Sequence, residues 1–486
     1  RKFCRRPRPR LRHHLGTSTA FQMCEPSCAA TAAEPSCAST AAPSKKQGKR
    51  EGKRGAIVSS AMLRQLPNEA FTQYYKEQLH LGDEWGEFEA CLRSPLPVTW
   101  RFSGHGAAAQ ALCASMEEHI LPALEEQPTP LPWYPGRLAW RTGVSRAALR
   151  GKDWEEQSRE QGGGGRSEAV AALHGWLLSE AELGRVQRQE AVSMVPPLLL
   201  DVRPGHCVLD MCASPGSKTQ QLLEALVGGD GGDGGGLVVA NDDQIKRCHM
   251  LASRASRLNS PSLVVTNHDA RLLPEWLGPS GAPGTPGAGA RTPLRFDRVL
   301  ADVPCSGDGT LRKNPLIWKR WAASGGNQLH ALQLQICTKG VRLLQVGGRL
   351  AYSTCSMNPV ENEAVVAAVL RAFGPGCVHL VDVSGQLPSL RRRAGLRAWR
   401  VWHRGQWHES WPSLTARFSD KCPQFESLFA PSAEESGRFK LERCVRLLPH
   451  EVDGSGFFVA IFEKLSEAAP EAGGGLPCAA ELTKTE

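Results

Sequence analysis

Long apolar runs are missing from this 486-residue chain. None reaches the roughly eighteen residues a bilayer-spanning helix needs, which excludes helical membrane spans. Paired metal-site cysteines are missing too. No Cys-x-x-Cys occurs among the sixteen cysteines, and Cys24, Cys28 and Cys37 sit in an Ala/Ser/Pro stretch without histidines at ligand spacing, so no metal is expected. The chain also lacks the short length and secretory start of a disulfide scaffold, and its cysteines read as mostly reduced thiols in an intracellular protein. A basic body is the last thing lacking. Residues 1–60 hold thirteen Lys/Arg against three Asp/Glu, so of the net +9 the remainder, 45 basic against 46 acidic residues, keeps only −1. Any nucleic-acid footprint on the body must therefore be a local patch.

Residues 1–61 read as a basic tail, Arg/Pro/Ala/Ser-rich and without hydrophobic periodicity over 1–57, hence disordered. Its run Lys45–Arg54 suits a nuclear-import signal or an RNA-touching arm, and the Arg-rich, acid-poor start also suits a mitochondrial transit peptide. A nuclear or nucleolar location is expected, with cytoplasm and mitochondrion left open. Residues 62–180 alternate helical patterns, Asn68–Leu81 and Ala107–Leu121, with Pro-rich turns such as 128–135, predicting a small α+β unit; patterning does not give its function, and it is taken as the chain's RNA-binding unit. After a Gly break at 162–165, strand patterns alternate with helix patterns over 181–464. Strands are predicted at Cys207–Met211, Leu237–Asn241, Ser262–Thr266, Arg295–Ala301 and Arg349–Ser353; helices are predicted at Lys218–Val227, Gln244–Leu258, Leu329–Leu344 and Glu361–Phe373. That alternation predicts an α/β, doubly wound parallel sheet. The tracts Gly228–Gly236 and Gly278–Gly289 read as floppy loops, 385–440 as an insert, 456–462 as a final strand and 465–486 as a disordered tail. Within 385–411, Arg391, Arg392, Arg393, Arg397, Arg400 and Arg404 interleave with Trp399, Trp402, Trp407 and Trp411. This is either an RNA-touching patch or domain packing with solvated arginines.

Two stretches carry the chemistry. Phe296-Asp-Arg-Val-Leu-Ala-Asp-Val-Pro-Cys-Ser-Gly-Asp-Gly309 and Gly348-Arg-Leu-Ala-Tyr-Ser-Thr-Cys-Ser-Met-Asn-Pro359 place Cys305 and Cys355 just past apolar strands. Residues beyond the carboxyl ends of parallel strands line one crevice, so the two sulfurs are expected to face each other across a gap wide enough for a pyrimidine. Upstream, the strand Cys207–Met211 runs into Cys212-Ala-Ser-Pro-Gly-Ser-Lys218 and a helix start, a turn that offers N–H groups to an anion. Gly-x-Gly-x-x-Gly is absent there, which argues against a nicotinamide dinucleotide. Asp242 at the second strand end suits the hydroxyls of a ribose and Asp269 at the third an adenine amino group, although each alone is commonly a helix cap. Cytosine resists methylation at carbon 5 until a nucleophile adds at carbon 6. A Cys355 thiolate fits that need, with Lys218 as a nearby cation, Asp302 to take up charge at ring nitrogen 3, and Cys305 as the second group required before the adduct can eliminate.

The set 210–219, Asn241-Asp242, Asn267-His-Asp269, 302–309 and 353–359 resembles the Nop/Sun-domain family of RNA cytosine-5 methyltransferases, in its tRNA-directed, Misu-type branch. The resemblance extends to Glu84-Trp-Gly86, Trp133-Tyr-Pro135, 188–194, Arg312-Lys-Asn314 and 441–462. It implies a Rossmann-like, seven-stranded S-adenosylmethionine-dependent methyltransferase sheet with an antiparallel final strand. It also implies Cys355 as covalent nucleophile, Cys305 for product release, and Cys212, Ala213, Ser214, Pro215, Gly216, Ser217, Lys218, Asp242, Asp269 and Asp302 as S-adenosylmethionine contacts. The implied substrate is tRNA, with other RNAs secondary, acted on by a monomer without a membrane or metal partner. Members of that branch continue well past this domain, so an effect on substrate affinity or choice is expected. The rivals are a DNA cytosine-5 methyltransferase, a nicotinamide oxidoreductase and a catalytically impaired RNA-binding scaffold.

Overall fold

Short runs of Val, Leu and Ala form strands here because both of their faces are covered. In the computed structural model, which describes residues 60–467 except 105, 152–166, 228–233, 259, 280–290 and 419–422, five such runs pair in parallel. In space they run Leu263–Thr266, Leu237–Asn241, Cys207–Asp210, Phe296–Asp302, Leu344–Thr354, and Phe457–Lys464 then pairs antiparallel with the last of these. Val378–Leu380 pairs with Phe457–Lys464 and completes the expected seven strands; Val445–Leu447 and Arg393–Ala394 extend the sheet to nine. Strand order reverses between Cys207–Asp210 and Phe296–Asp302, and that switch point opens the crevice.

Successive strand residues serve opposite faces. Leu209, Val239, Val299 and Leu350 pack under the helices Ser324–Leu343 and Glu363–Phe373, while Val208, Val238, Leu300 and Ala351 pack against Leu222, Leu251 and Leu199. Each buried aliphatic contributes roughly 1.5–3 kcal/mol. The first of these helices starts five residues ahead of expectation, over Ser324-Gly-Gly. Two glycines weaken helical propensity, but a Cβ on Gly326 would lie 2.2 Å from Asn358 Nδ2, so the small residue is what lets the helix close on that turn. Conversely, the helix predicted from Glu361 begins at Glu363, because the Glu361 side chain is engaged elsewhere. Leu277–Pro279 pairs with Arg291–Pro293 in a hairpin, so the start of the second Gly tract is strand rather than loop. The run 45–54, the Gly break at 162–165, residues 228–233 and 280–289 of the Gly tracts and the tail from 468 lie outside the described residues. Among the described residues no helix is long and apolar enough to cross a membrane.

Ahead of the large sheet, Thr129–Pro130, Ala139–Ser145, Pro97–Phe102 and Val186–Gln187 form an antiparallel four-stranded sheet with its own core around Trp100, Phe102, Met116 and Trp140. It is fastened to the catalytic half by the buried pair Arg101–Glu224, 2.5 Å. The helix Glu69–Leu79, capped by the Asn68 side chain, packs elsewhere. Its Phe71, Tyr74 and Tyr75 join Leu311, Trp318 and Met357 beside the cysteine turns.

In the insert, packing accounts for the tryptophans. Trp399 is buried and donates to Leu428 O at 2.8 Å, Trp402 and Trp407 meet edge-on, and Tyr74 stacks on Trp407. Several of the arginines are spent on ion pairs: Arg393 with Glu84 and Glu451, Arg397 with Glu442, and Arg400 with Glu77.

Candidate active site

Two turns form the floor of the crevice. Backbone bonds continue the strand register past Asp302 and Thr354, with Val303 N donating to Ser353 O (3.1 Å) and Gly309 N to Cys355 O (3.0 Å). The carbonyl of Gly309 accepts from Gly456 N. A Cβ on Gly309 would lie 2.3 Å from Gly456 O and 2.8 Å from Cys355 O, so only glycine lets these three segments meet. Gly309→Ala is expected to cost about 1–3 kcal/mol and to slow the reaction more than its fall in Tm explains, as differential scanning fluorimetry beside a turnover assay would show.

Cys305 and Cys355 do converge, both half-exposed, with Sγ–Sγ at 3.2 Å. The expected pyrimidine-wide gap is absent; the sulfurs touch, one thiol hydrogen-bonding the other. Contact with Cys355, then burial, pushes the Cys305 thiol well up.

Burial, then the strand-end acids Asp210, Asp302 and Asp242, pushes the Cys212 thiol well above the ordinary range. Gly216, at a φ of 100°, starts the helix Ser217–Leu226 and points Lys218 into the crevice wall, where its Nζ lies 2.7 Å from Asp302 Oδ2. Burial opposes the lysine charge, but the Asp302 carboxylate outweighs it and raises Lys218 above its usual value; Cys355 lies within the same electrostatic reach. Asp302 Oδ1 accepts from Ser353 Oγ at 2.7 Å, so this carboxylate is held from two sides. Asp242 is buried and accepts from Ser214 N and Gln244 N, fixing the Ala213–Pro215 turn. Asp269 caps a short helix and pairs with Arg271, which lowers its carboxyl, so the structure gives it the capping role.

Burial pushes the Asp210 carboxyl up to about 7. A folded-state pKa raised above the unfolded value means that stability from this group is full below about pH 4 and is lost as pH rises toward 7, by ~4 kcal/mol at most. Asp210→Asn is expected to shrink the fall in urea midpoint between pH 5 and pH 8 relative to the parent.

Sequence reasoning missed two groups. Glu361, in the segment read as a helix start, is a fully buried carboxylate behind both cysteines. Arg146, Arg150, Arg188 and Arg254 are exposed and crowd one another. Burial, then Arg150, Arg146 and Arg254, lowers Arg188, and none of the four has an acidic ion-pair partner among the described residues. Arg254 Nη1 lies 3.4 Å from Pro215 O, placing this cluster beside the Cys212–Lys218 turn. Only folding assembles it, from elements over a hundred residues apart.

A doubly wound parallel sheet closed by an antiparallel strand, with acids at its switch point and paired thiols at neighbouring strand tips, defines a Rossmann-like methyltransferase fold. A methyltransferase homolog from Pyrococcus horikoshii shares that fold, with a TM-score of 0.53 at 22% identity, over 85% of this chain and all of that one. Residues 197–383 match the family model described as 16S rRNA methyltransferase RsmB/F. It is 41% identical over 415 residues to the multisite-specific tRNA:(cytosine-C(5))-methyltransferase of Saccharomyces cerevisiae and 42% identical over 440 residues to the corresponding trm4b enzyme of Schizosaccharomyces pombe. These matches cover 83% and 85% of this chain but only 56% and 61% of those proteins.

Proposed function

We propose that this protein transfers a methyl group from S-adenosylmethionine to carbon 5 of cytosine in RNA, chiefly tRNA, through a covalent Cys355 adduct. The observation that carries the reading is the 3.2 Å contact between two accessible thiols at adjacent strand tips, beside the Lys218–Asp302 pair. The residues present fit the cofactor. Among the described residues no side chain donates to the buried Asp210 Oδ1, an acceptor suited to a methionine ammonium, and Cys212–Lys218, Asp242 and Asp269 line the same strand ends. S-adenosylmethionine bound there supplies an electrophilic sulfonium methyl.

Cys355 adds to carbon 6 of the base and makes carbon 5 an enamine carbon able to accept a methyl group. Asp302, held by Lys218 and Ser353, is fixed before reaction and stabilises the charge developing around ring nitrogen 3 without reorganising. Cys305, as thiolate, then takes the carbon 5 proton; the electron pair of that C–H bond re-forms the C5–C6 double bond, and the bond from carbon 6 to Cys355 breaks with its electrons returning to sulfur.

The crowded arginines beside this site support an RNA backbone there, since phosphates relieve their mutual repulsion. Replacing Arg150 and Arg188 by Ser is expected to weaken tRNA binding across sequences and to lower the salt slope by about one per residue, read by filter binding at several salt concentrations. The proposal itself is tested with labelled S-adenosylmethionine and total tRNA. Label at cytosine carbon 5 supports it, and a protein that binds tRNA but incorporates none is the scaffold instead.

A further inference from the structure

The residues that follow the two cysteines are serines, and both bond one carboxylate. Glu361 Oε1 accepts from Ser306 N (2.8 Å) and Gln333 Nε2 (3.0 Å); its Oε2 accepts from Ser306 Oγ (2.6 Å) and Ser356 Oγ (2.8 Å). The Glu361 side chain is fully buried. Burial, then the nearby Asp308 carboxylate, pushes its carboxyl up against the pull of the serine donors, so the group sits there at a cost that its four hydrogen bonds offset. Sequence order does not require this bridge: the carboxylate comes from the segment after Cys355 and reaches back fifty-five residues to Ser306.

The two turns depend on it unequally. The Cys355 turn has other anchors, with Thr354 Oγ1 donating to Asn362 Oδ1 (2.6 Å), Asn362 Nδ2 to Ser356 O (2.9 Å) and Arg446 Nη1 to Met357 O (2.8 Å), whereas the Gln333 Nε2 that donates to Pro304 O (2.9 Å) beside Cys305 is itself held by Glu361. Ser306, next to Cys305, gives both its N–H and its hydroxyl to Glu361. Loss of the carboxylate therefore loosens Cys305 more than Cys355.

We propose that Glu361 is a positioning residue that sets the distance between Cys305 and Cys355 and thereby the rate at which the covalent RNA adduct is released. This rests on the cytosine-5 reading above. It predicts that weakening the bridge affects release before it affects attack, because the misplaced sulfur is the one that acts second.

The test uses the full chain with Glu361→Ala, Glu361→Gln and the double change Ser306→Ala/Ser356→Ala. The glutamine keeps the shape, and its amide can donate to the two hydroxyls, which turn to accept, so it should act as the conservative rescue. The first readout needs no RNA. Diamide oxidises the paired thiols to a disulfide, two protons and two electrons passing to its N=N bond to give the hydrazine, and the cross-linked Cys305–Cys355 peptide is followed by mass spectrometry. The second is the fraction of enzyme held as RNA adduct at steady state, per methylated product. Glu361→Ala is expected to slow cross-linking at least about tenfold and to raise the adduct fraction, with Glu361→Gln staying within about threefold of the parent. Should Glu361→Ala not fold, the double serine variant carries the same prediction with a smaller change. If Tm falls while cross-linking rate and adduct fraction stay at parental values, Glu361 is merely structural and the proposal is overturned. A parent that methylates no cytosine, with no adduct from Cys305→Ala, overturns the cytosine-5 reading instead, and the cross-linking rate still decides whether the bridge sets the thiol spacing.

Discussion

Cys355→Ala is expected to lose methyl transfer by at least about a thousandfold, while Cys305→Ala, although as poor in turnover, accumulates an RNA–protein adduct that survives denaturing electrophoresis. The asymmetry follows from the proposed roles: the sulfurs touch at 3.2 Å, Cys355 adds to carbon 6 and Cys305 acts afterwards. Without Cys355 no carbon–sulfur bond forms and carbon 5 stays inert. Without Cys305 the bond forms and carbon 5 is methylated, but its proton has no nearby acceptor and Cys355 cannot leave. Both variants should keep the parental Tm within a degree or two, since each removes one half-exposed sulfur. The reverse pattern, with an adduct in Cys355→Ala, would assign the nucleophile to the Pro-Cys turn and make this a DNA-type arrangement.

Glu363→Ala is expected to cost about 3–5 kcal/mol, a loss large enough to unfold much of the protein at 37 °C. Glu363 is fully buried at the start of the helix Glu363–Phe373 and holds the Arg446 guanidinium with both oxygens, at 2.6 and 2.5 Å. Glu363 Oε1 also accepts from Leu396 N at 2.9 Å. Removing the carboxylate leaves a buried positive charge whose remaining hydrogen-bond partner among the described residues is Met357 O, and the penalty is that desolvated charge rather than the worth of the pair. Urea titration distinguishes the two: Glu363→Leu combined with Arg446→Met should recover most of the loss, whereas a simple packing defect would leave the double variant as unstable as the single.

Much of the site was legible before folding because strand-end chemistry is local. An apolar run that stops at Asp302 or Thr354 places the next few residues at the sheet's carboxyl edge whatever surrounds it, and that was enough to put Cys305, Cys355 and Lys218 in one crevice. Asp269 shows the limit of such reasoning. Its position allowed either a ligand contact or a cap; the structure shows it capping the short helix Ala270–Leu272 and pairing with Arg271. The tryptophans of the insert show it again, since interleaved Arg and Trp read the same way for a nucleic-acid face as for a packed one. The partners that resolve the matter, Glu77 and Tyr74 among them, lie more than three hundred residues away.

By itself the amino-acid sequence determined the order of strands and helices, the two thiols and the acids at the strand tips, because these follow from periodicity and from residues adjacent in the chain. Tertiary structure alone decided that the sulfurs touch rather than stand apart, that Glu361 joins their turns, and that four arginines from distant segments crowd beside the Cys212–Lys218 turn. The physical reason is that hydrogen bonds and charge repulsion depend on distance in space, and for side chains separated by fifty residues or more that distance is set only when the core closes between them.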